Sequence, residues 1–426
     1  MKRRQFVHAA TATSAIAGLG LLGGCATPGP GAPKVVVVGA GYGGATAAKY
    51  LRLFSNQGID VTLVEPNASF ISCPISNLVL GGHKNMAFIT HSYENLQRRH
   101  GVKLVRDSVT RIDAEQRRVR LAGGGELPYD RLILSPGIDF MWETLPGMAS
   151  QAAKDKVLHA WKAGPQTAAL RQQLQAMPDG GVYALSIPMV PYRCPPGPYE
   201  RACMVASYFK QAKPRSKVII FDANDDVTSK RGLFLRAWAD HYKDIIEYRP
   251  KHRVIDVDAA TNTLQFEFND PFTASVANVV PSQRAGAIAV QSGLATANQR
   301  WCEVDFLSFE SKAAKHIHVL GDAIQIAPGM PKSGHMANQH AKVCAAAVLS
   351  LLQGKEPPSL PLYANTCYSF VTAEEAIHVA SVHRFDAAQR TMLTVPGSGG
   401  VSSAANELEA FYAIGWARNI WADSLG

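Results

Sequence analysis

Two cysteines lie in contexts that suit sulfur chemistry. Cys73 sits in the apolar stretch FISCPISNLVLGG, and Cys194 sits in RCPPGPYERA beside Arg193, a cation that favours a thiolate when it faces the same site. A thiolate attacks disulfides, sulfur substrates and electrophilic cofactor carbons. By residue type alone, a small packed side chain is the favoured reading of Cys73. Cysteines also stand at 25, 203, 302, 344 and 367, and none of the seven forms CxxC, CxxCH or a Cys/His zinc spacing. Resident metal and covalently attached haem are therefore not expected.

The elements that position these thiols begin with KVVVVGAGYGGATAAKYL, a continuous β-branched run, a glycine turn and an alanine-rich helix. Gly39, Gly41 and Gly44 fill GxGxxG: a tight turn, close approach to a pyrophosphate, and helix packing on the strand. A second strand, VTLVEPN, ends at Glu65, where an acidic side chain holds the adenosine ribose. YDRLILSPG (129–137) resembles the segment that returns a chain to an FAD domain, and HIHVLGDAI (316–324) resembles the late strand whose aspartate, here Asp322, bonds the flavin ribitol. These favour FAD over NAD. In the middle region, the strand-like GGVYALSI is followed by Pro188, Pro191, Pro195, Pro196 and Pro198 instead of a glycine turn. Proline has no N–H to offer a phosphate, so a nicotinamide cofactor is not expected.

The fold class is α/β, with two Rossmann-like dinucleotide-binding domains of the glutathione-reductase-like flavoprotein type and a C-terminal interface domain. Residues 33–150 and 280–345 form the FAD-binding domain in two parts, 151–279 form the second Rossmann-like domain without a nicotinamide fingerprint, and 346–426, with helix-like and turn-like pieces, form the interface domain.

Residues 1–25 read as a targeting peptide: a basic start, Arg3 and Arg4 followed by Gln5, Phe6 and Val7 as in twin-arginine signals, then an apolar small-residue run. Export of a protein already folded around its cofactor, into the periplasm, is the expectation. Leu22–Cys25 also resembles a lipoprotein box that acylates Cys25, whereas a cut near Ala26 discards it; membrane attachment is expected only with acylation. The net charge of +9 includes Lys2, Arg3 and Arg4 of this leader. No basic run with interleaved aromatics occurs, which argues against nucleic acid, and the mild basicity suits an acidic protein partner.

Taken together, GAGYGGATAAKYL, HAWKAGPQT, RCPPGPYERA, GDA, MPKSG, NTCYS and WARNI resemble the flavoprotein subunit of flavocytochrome c sulfide dehydrogenase, among sulfide:quinone reductase-like flavoproteins. The resemblance implies FAD bonded through its 8α-methyl to Cys73, oxidation of sulfide or a related reduced sulfur species, and electron transfer to a c-type cytochrome subunit. It also implies a redox disulfide between Cys194 and a cysteine directly after GDA, a position that holds Ile324 here. Three outcomes stay open: Cys194 acts alone, it pairs with another cysteine that the fold brings near, such as Cys203, or the substrate has changed or the activity is lost. Lys332 in MPKSG is expected beside the flavin as a catalytic cation, and Trp416 as a wall of its pocket. A membrane quinone reductase is the alternative reading.

Overall fold

The computed structural model describes residue 29 and residues 31–426, so the leader and Cys25 lie outside the described residues. The valine run becomes strand Lys34–Val38, covered on both faces at the centre of a five-stranded parallel sheet. Asp60–Val64 and Lys103–Val105 extend the sheet on one side, and Arg131–Leu134 and Ile317–Val319 on the other. One sheet is thus assembled from segments on either side of the middle domain. Helix Tyr42–Phe54 packs against helix Gly334–Leu352, which joins the late segment to the fingerprint.

The second parallel sheet runs Ile246–Arg249, Lys217–Asp222, Val182–Ile187 and Val276–Val279. After Ile187 the chain passes through the proline-rich loop before helix Gly197–Ala212 begins. That loop carries Cys194 over the end of the sheet.

Two expectations about the C-terminal part are corrected. The boundary placed between 345 and 346 falls inside helix Gly334–Leu352, a single continuous element. Beyond it the chain is mainly β: strands Leu362–Phe370, Ala376–Asp386 and Thr391–Thr394 form an antiparallel sheet, closed by helix Glu407–Leu425. The first strand is hard to read because its inward positions, Tyr363, Asn365, Cys367 and Ser369, are mostly polar. They face polar partners, so the apolar alternation that marks a half-buried strand is missing.

Gly44 packs the first helix directly against the glycine turn. A Cβ there would lie 1.7 Å from the Gly39 carbonyl oxygen. We predict that Gly44→Ala lowers unfolding free energy by about 1–3 kcal/mol, the usual cost of overpacking, and weakens flavin retention. An unchanged urea midpoint with full flavin content would contradict this.

Candidate functional site

The nucleotide end is built by backbone. Gly39 turns at φ +89°, and a Cβ there would meet the Ser135 carbonyl oxygen at 2.5 Å. Gly41 caps helix Tyr42–Phe54 with no side-chain hydrogen bond, and nothing lies within 4 Å of where its Cβ would be. The helix start is left open to an anion, with no acidic residue in its first turn. Glu65 is buried at the end of its strand; Oε2 accepts from the Ala40 N–H at 2.8 Å, and Oε1 accepts from the Asn67 backbone at 2.9 Å and its side chain at 2.6 Å. These bonds hold the carboxylate beside the glycine turn.

Asp322 lies in the short turn Gly321–Ala323, and its Oδ1 is buried without a hydrogen-bond partner. An orphaned carboxylate oxygen is costly unless a ligand hydroxyl satisfies it, so the residues fit the ribityl chain of FAD. Burial raises the Asp322 carboxyl above its usual range, with Arg193 and Lys332 opposing.

Lys332 is placed under this turn. Its Nζ donates to the carbonyls of Asp322 at 2.9 Å and Ile324 at 2.5 Å and stands 3.6 Å from the centre of the Trp301 ring. Burial brings its ammonium down to about 7, while Asp322 and Cys302 pull it up. Lys332 therefore holds the Asp322 turn in place, a positioning role.

Cys73 is enclosed by HAWKAGPQT. The Ala163 N–H points at its Sγ at 3.3 Å, and Arg193 Nη2 reaches the same sulfur at 2.9 Å while also bonding the Trp161 carbonyl. Burial works against the Arg193 charge, but Cys73, Asp322 and Cys194 together hold its ionisation above the ordinary value. One guanidinium thus contacts the Cys73 sulfur and is held charged by Asp322 and Cys194 as well.

The loop is fixed from beneath by residues that the motifs contained but to which sequence reasoning gave no role. Arg201, 2% exposed, donates to the carbonyls of His159 at 2.8 Å and Ala160 at 2.7 Å, to Asn278 Oδ1 at 2.9 Å and to Asn77 Oδ1 at 3.1 Å. Asn77, four residues after Cys73, donates in turn to Glu200 Oε2 at 2.7 Å. The other Glu200 oxygen accepts from the Phe370 N–H at 2.8 Å, at the end of the strand that carries Cys367. An adjacent Glu and Arg on an otherwise mainly apolar helix face was the available signal.

Cys194 adopts φ +56°, held by its N–H on the Lys332 carbonyl at 2.8 Å and by the Gly197 N–H on its own carbonyl at 2.9 Å. Gly197 makes room for the thiol, since a Cβ there would lie 2.9 Å from the Cys194 Sγ. Cys367 lies on the strand that docks beside the Cys194 anchor: the Lys332 carbonyl accepts the Cys194 N–H, and the next residue, Ser333, bonds Asn365 two positions before Cys367; burial and then the Cys367 charge raise the Cys194 thiol. Both thiols are free. Ile324 is buried and pairs its backbone with Cys302, while the Cys203 Sγ accepts from Trp238 Nε1 at 3.3 Å. The Cys203 sulfur is thus engaged by the Trp238 indole.

The Cys367 strand is pinned to the Lys332 segment. Ser333 Oγ donates to Asn365 Oδ1 at 2.7 Å, and the Thr366 N–H donates to His335 Nδ1 at 2.9 Å. Trp416 lies one layer farther out, edge-on to His335 with ring centres 5.8 Å apart and tilted against Tyr368 at 6.3 Å. Cys73, Arg193, Cys194, Asp322, Lys332 and Cys367 are thus brought together, and Trp416 reaches them through its neighbours. Among the described residues, no group of three or more His, Cys, Asp or Glu is placed to hold a metal, and no helix is long and apolar enough to cross a membrane.

The fold and this site define a two-dinucleotide-binding FAD flavoprotein. Residues 33–178 match the pyridine nucleotide-disulphide oxidoreductase model, 167–281 the central domain of the sulfide dehydrogenase [flavocytochrome c] flavoprotein chain, and 359–425 the flavocytochrome c sulphide dehydrogenase flavin-binding domain. The sulfide dehydrogenase [flavocytochrome c] flavoprotein chain of Chlorobaculum thiosulfatiphilum is 57% identical over 49 residues, which is 12% of this chain and 100% of that sequence. The chain belongs to this family of flavocytochrome c sulfide dehydrogenase flavoproteins, within the sulfide:quinone oxidoreductase-like group. The mitochondrial sulfide:quinone oxidoreductase of Mus musculus is 25% identical over 316 residues, covering 69% of this chain and 66% of that protein. This chain therefore spans just under two thirds of that relative's length. The solved sulfide:quinone oxidoreductase of Aquifex aeolicus superposes with a TM-score of 0.76 at 17% identity, covering 92% of both chains, a likeness of fold.

His159 makes this loop sensitive to acid. Its Nδ1 accepts the Trp161 N–H at 2.8 Å, and burial, then the charges of Lys162, Arg201 and Arg193, lower its pKa from 6.5 to about 3. Between those values the unfolded chain binds the proton and the folded chain does not, so this contribution is complete above 6.5 and lost as pH falls toward 3. We predict that His159→Asn, which keeps an acceptor, flattens the fall of the urea midpoint across that window; parallel curves for variant and parent would refute it.

Proposed function

We propose that this protein is an exported FAD enzyme that oxidises sulfide, or a related reduced sulfur species, and passes electrons to a c-type haem on a partner subunit. The observation that carries the reading is that the Cys194 loop, the Asp322 turn and the Cys367 strand are all fastened to the Lys332–Ser333 segment, with Arg193 on the Cys73 sulfur. In the oxidised enzyme Cys194 and Cys367 form the disulfide. Hydrosulfide attacks one sulfur, the S–S bond breaks, and the electron pair leaves on the other; the products are a persulfide and a thiolate, with atoms and charge conserved. Bound FAD supplies a two-electron acceptor that is reoxidised one electron at a time.

The chain's own residues bind and orient that group. Gly41 and the helix start receive the pyrophosphate, Glu65 the ribose, and Asp322 the ribityl chain. Cys73 is the proposed covalent tether, with the Ala163 N–H and Arg193 aimed at its sulfur to support negative charge there during attack. A tether keeps the cofactor with the protein outside the cytoplasm. The haem belongs to a partner because no CxxCH occurs in this chain.

A second reading, delivery to a membrane quinone, draws support from the name of the mouse relative and from Leu408, Phe411 and Tyr412, which stand exposed near the start of the last helix. Copurification with a haem protein favours the first reading, and reduction of a quinone analogue with no haem partner favours the second. On the first reading Cys367 takes the part that a cysteine at position 324 would have played, so Ile324 does not by itself remove the activity.

Two outcomes are expected. On rapid mixing with sulfide the flavin absorbance bleaches, and Cys194→Ser and Cys367→Ser each slow this at least 100-fold (~3 kcal/mol of barrier); no bleaching in the parent protein would remove sulfide as substrate. Acid denaturation leaves flavin on the parent chain and releases it from Cys73→Ser. A parent chain with the mass of bare polypeptide would remove the tether.

A further inference from the structure

We propose that Lys230 holds the negative charge of the opened thiol pair on Cys367, making Cys367 and not Cys194 its anionic member. This rests on the Cys194–Cys367 pairing proposed above.

Lys230 precedes helix Arg231–His241 and is 6% exposed. Its Nζ donates to the Cys367 carbonyl at 3.1 Å, to Ser369 Oγ at 2.8 Å and to the Ile377 carbonyl at 3.4 Å, and it stands 5.7 Å from the Phe234 ring centre. All three acceptors are neutral. Among the described residues no carboxylate forms a salt bridge with it: Glu200 is engaged by Asn77 and the Phe370 N–H, and Glu409 by His378 Nδ1 at 2.7 Å. A buried ammonium without an anion is expensive. Burial brings Lys230 down to about 8, and the group that most raises it is Cys367, followed by Glu200, Cys194 and Glu409.

The two sulfurs do not share this cation equally: its hydrogen bonds go to the Cys367 carbonyl, to Ser369 on the same strand and to the paired strand at Ile377, and none of these goes to the loop that bears Cys194. At Cys367 burial raises the thiol, and Lys230 is the foremost influence lowering it, followed by the side chains of Asn365 and Ser333, with Glu200 opposing. At Cys194 burial, Cys367 and Glu200 all raise the thiol, Arg193 opposes them, and Lys230 comes last. Arg193 is itself committed to the Cys73 sulfur and the Trp161 carbonyl. When the pair is reduced and sheds one proton, the charge therefore settles on Cys367. Lys230 transfers no proton or electron in this role; it is a positioning residue.

The test reduces the flavin-bound protein with a phosphine, pulses it with iodoacetamide across a pH series and maps labelling by peptide mass spectrometry. In the parent, Cys367 is labelled at lower pH than Cys194. Lys230→Met raises the Cys367 midpoint by about one pH unit, roughly a tenfold loss of labelling rate at neutral pH, with a smaller shift at Cys194, and Lys230→Arg restores it. Cys194 labelling first in the parent would overturn the proposal whether or not the variant folds. So would an unmoved Cys367 midpoint in a Lys230→Met protein that keeps its flavin. Diamide oxidation separates this from the pairing: thiols that stay unlinked contradict the pair, whereas a pair that closes but labels in the other order contradicts only Lys230.

Discussion

A single buried side-chain amide, that of Asn77, couples the segments on which the site depends. Its oxygen accepts from Arg201 and its nitrogen donates to Glu200, so neither charge on helix Gly197–Ala212 stands alone. Burying a guanidinium and a carboxylate is tolerable only when nearly every donor and acceptor is used. That requirement makes the contact specific: Arg201 must find the carbonyls of the HAWKAG loop, and Glu200 must find the backbone of the Cys367 strand. The loop over Cys73, the proline-rich turn that bears Cys194 and the strand that bears Cys367 are each tied to this one helix.

The same arrangement places a proline-rich turn after the strand Val182–Ile187 of the second Rossmann-like domain. The turn after Ile187 carries prolines and leads to Cys194, whose backbone is fixed by Lys332 and Gly197. A turn that cradled a phosphate at this point would need free N–H groups and close backbone approach. In this chain that turn carries Cys194.

Much of the FAD domain was legible in the sequence, because its signals are local: a valine run, glycines at fixed offsets, and Glu65 at a strand end. Asp322 was legible by resemblance, and its unpaired oxygen gives that reading a physical basis. Cys367 was not legible, since its nearness to Cys194 arises from the C-terminal strand docking onto Ser333 and His335, a contact between distant segments. The expectation of a cysteine after GDA pointed to Ile324 and away from NTCYS. Lys332 was placed near the flavin site, but its orientation under the Asp322 turn, with Trp301 against it, depends on residues that no local pattern links. The polar inward face of strand Leu362–Phe370 concealed its β character for the same reason that it matters: it is part of the site.

Helix Gly197–Ala212 ties both the Cys194 turn and the Cys367 strand through its own backbone and its buried Glu200. The most direct measurement is a peptide map of the oxidised protein, digested without reductant. One cross-linked species joining the Cys194 and Cys367 peptides is expected, with Cys203, Cys302 and Cys344 recovered as free thiols. Recovery of Cys194 linked to Cys203, or of Cys194 and Cys367 both unlinked, would contradict that pairing.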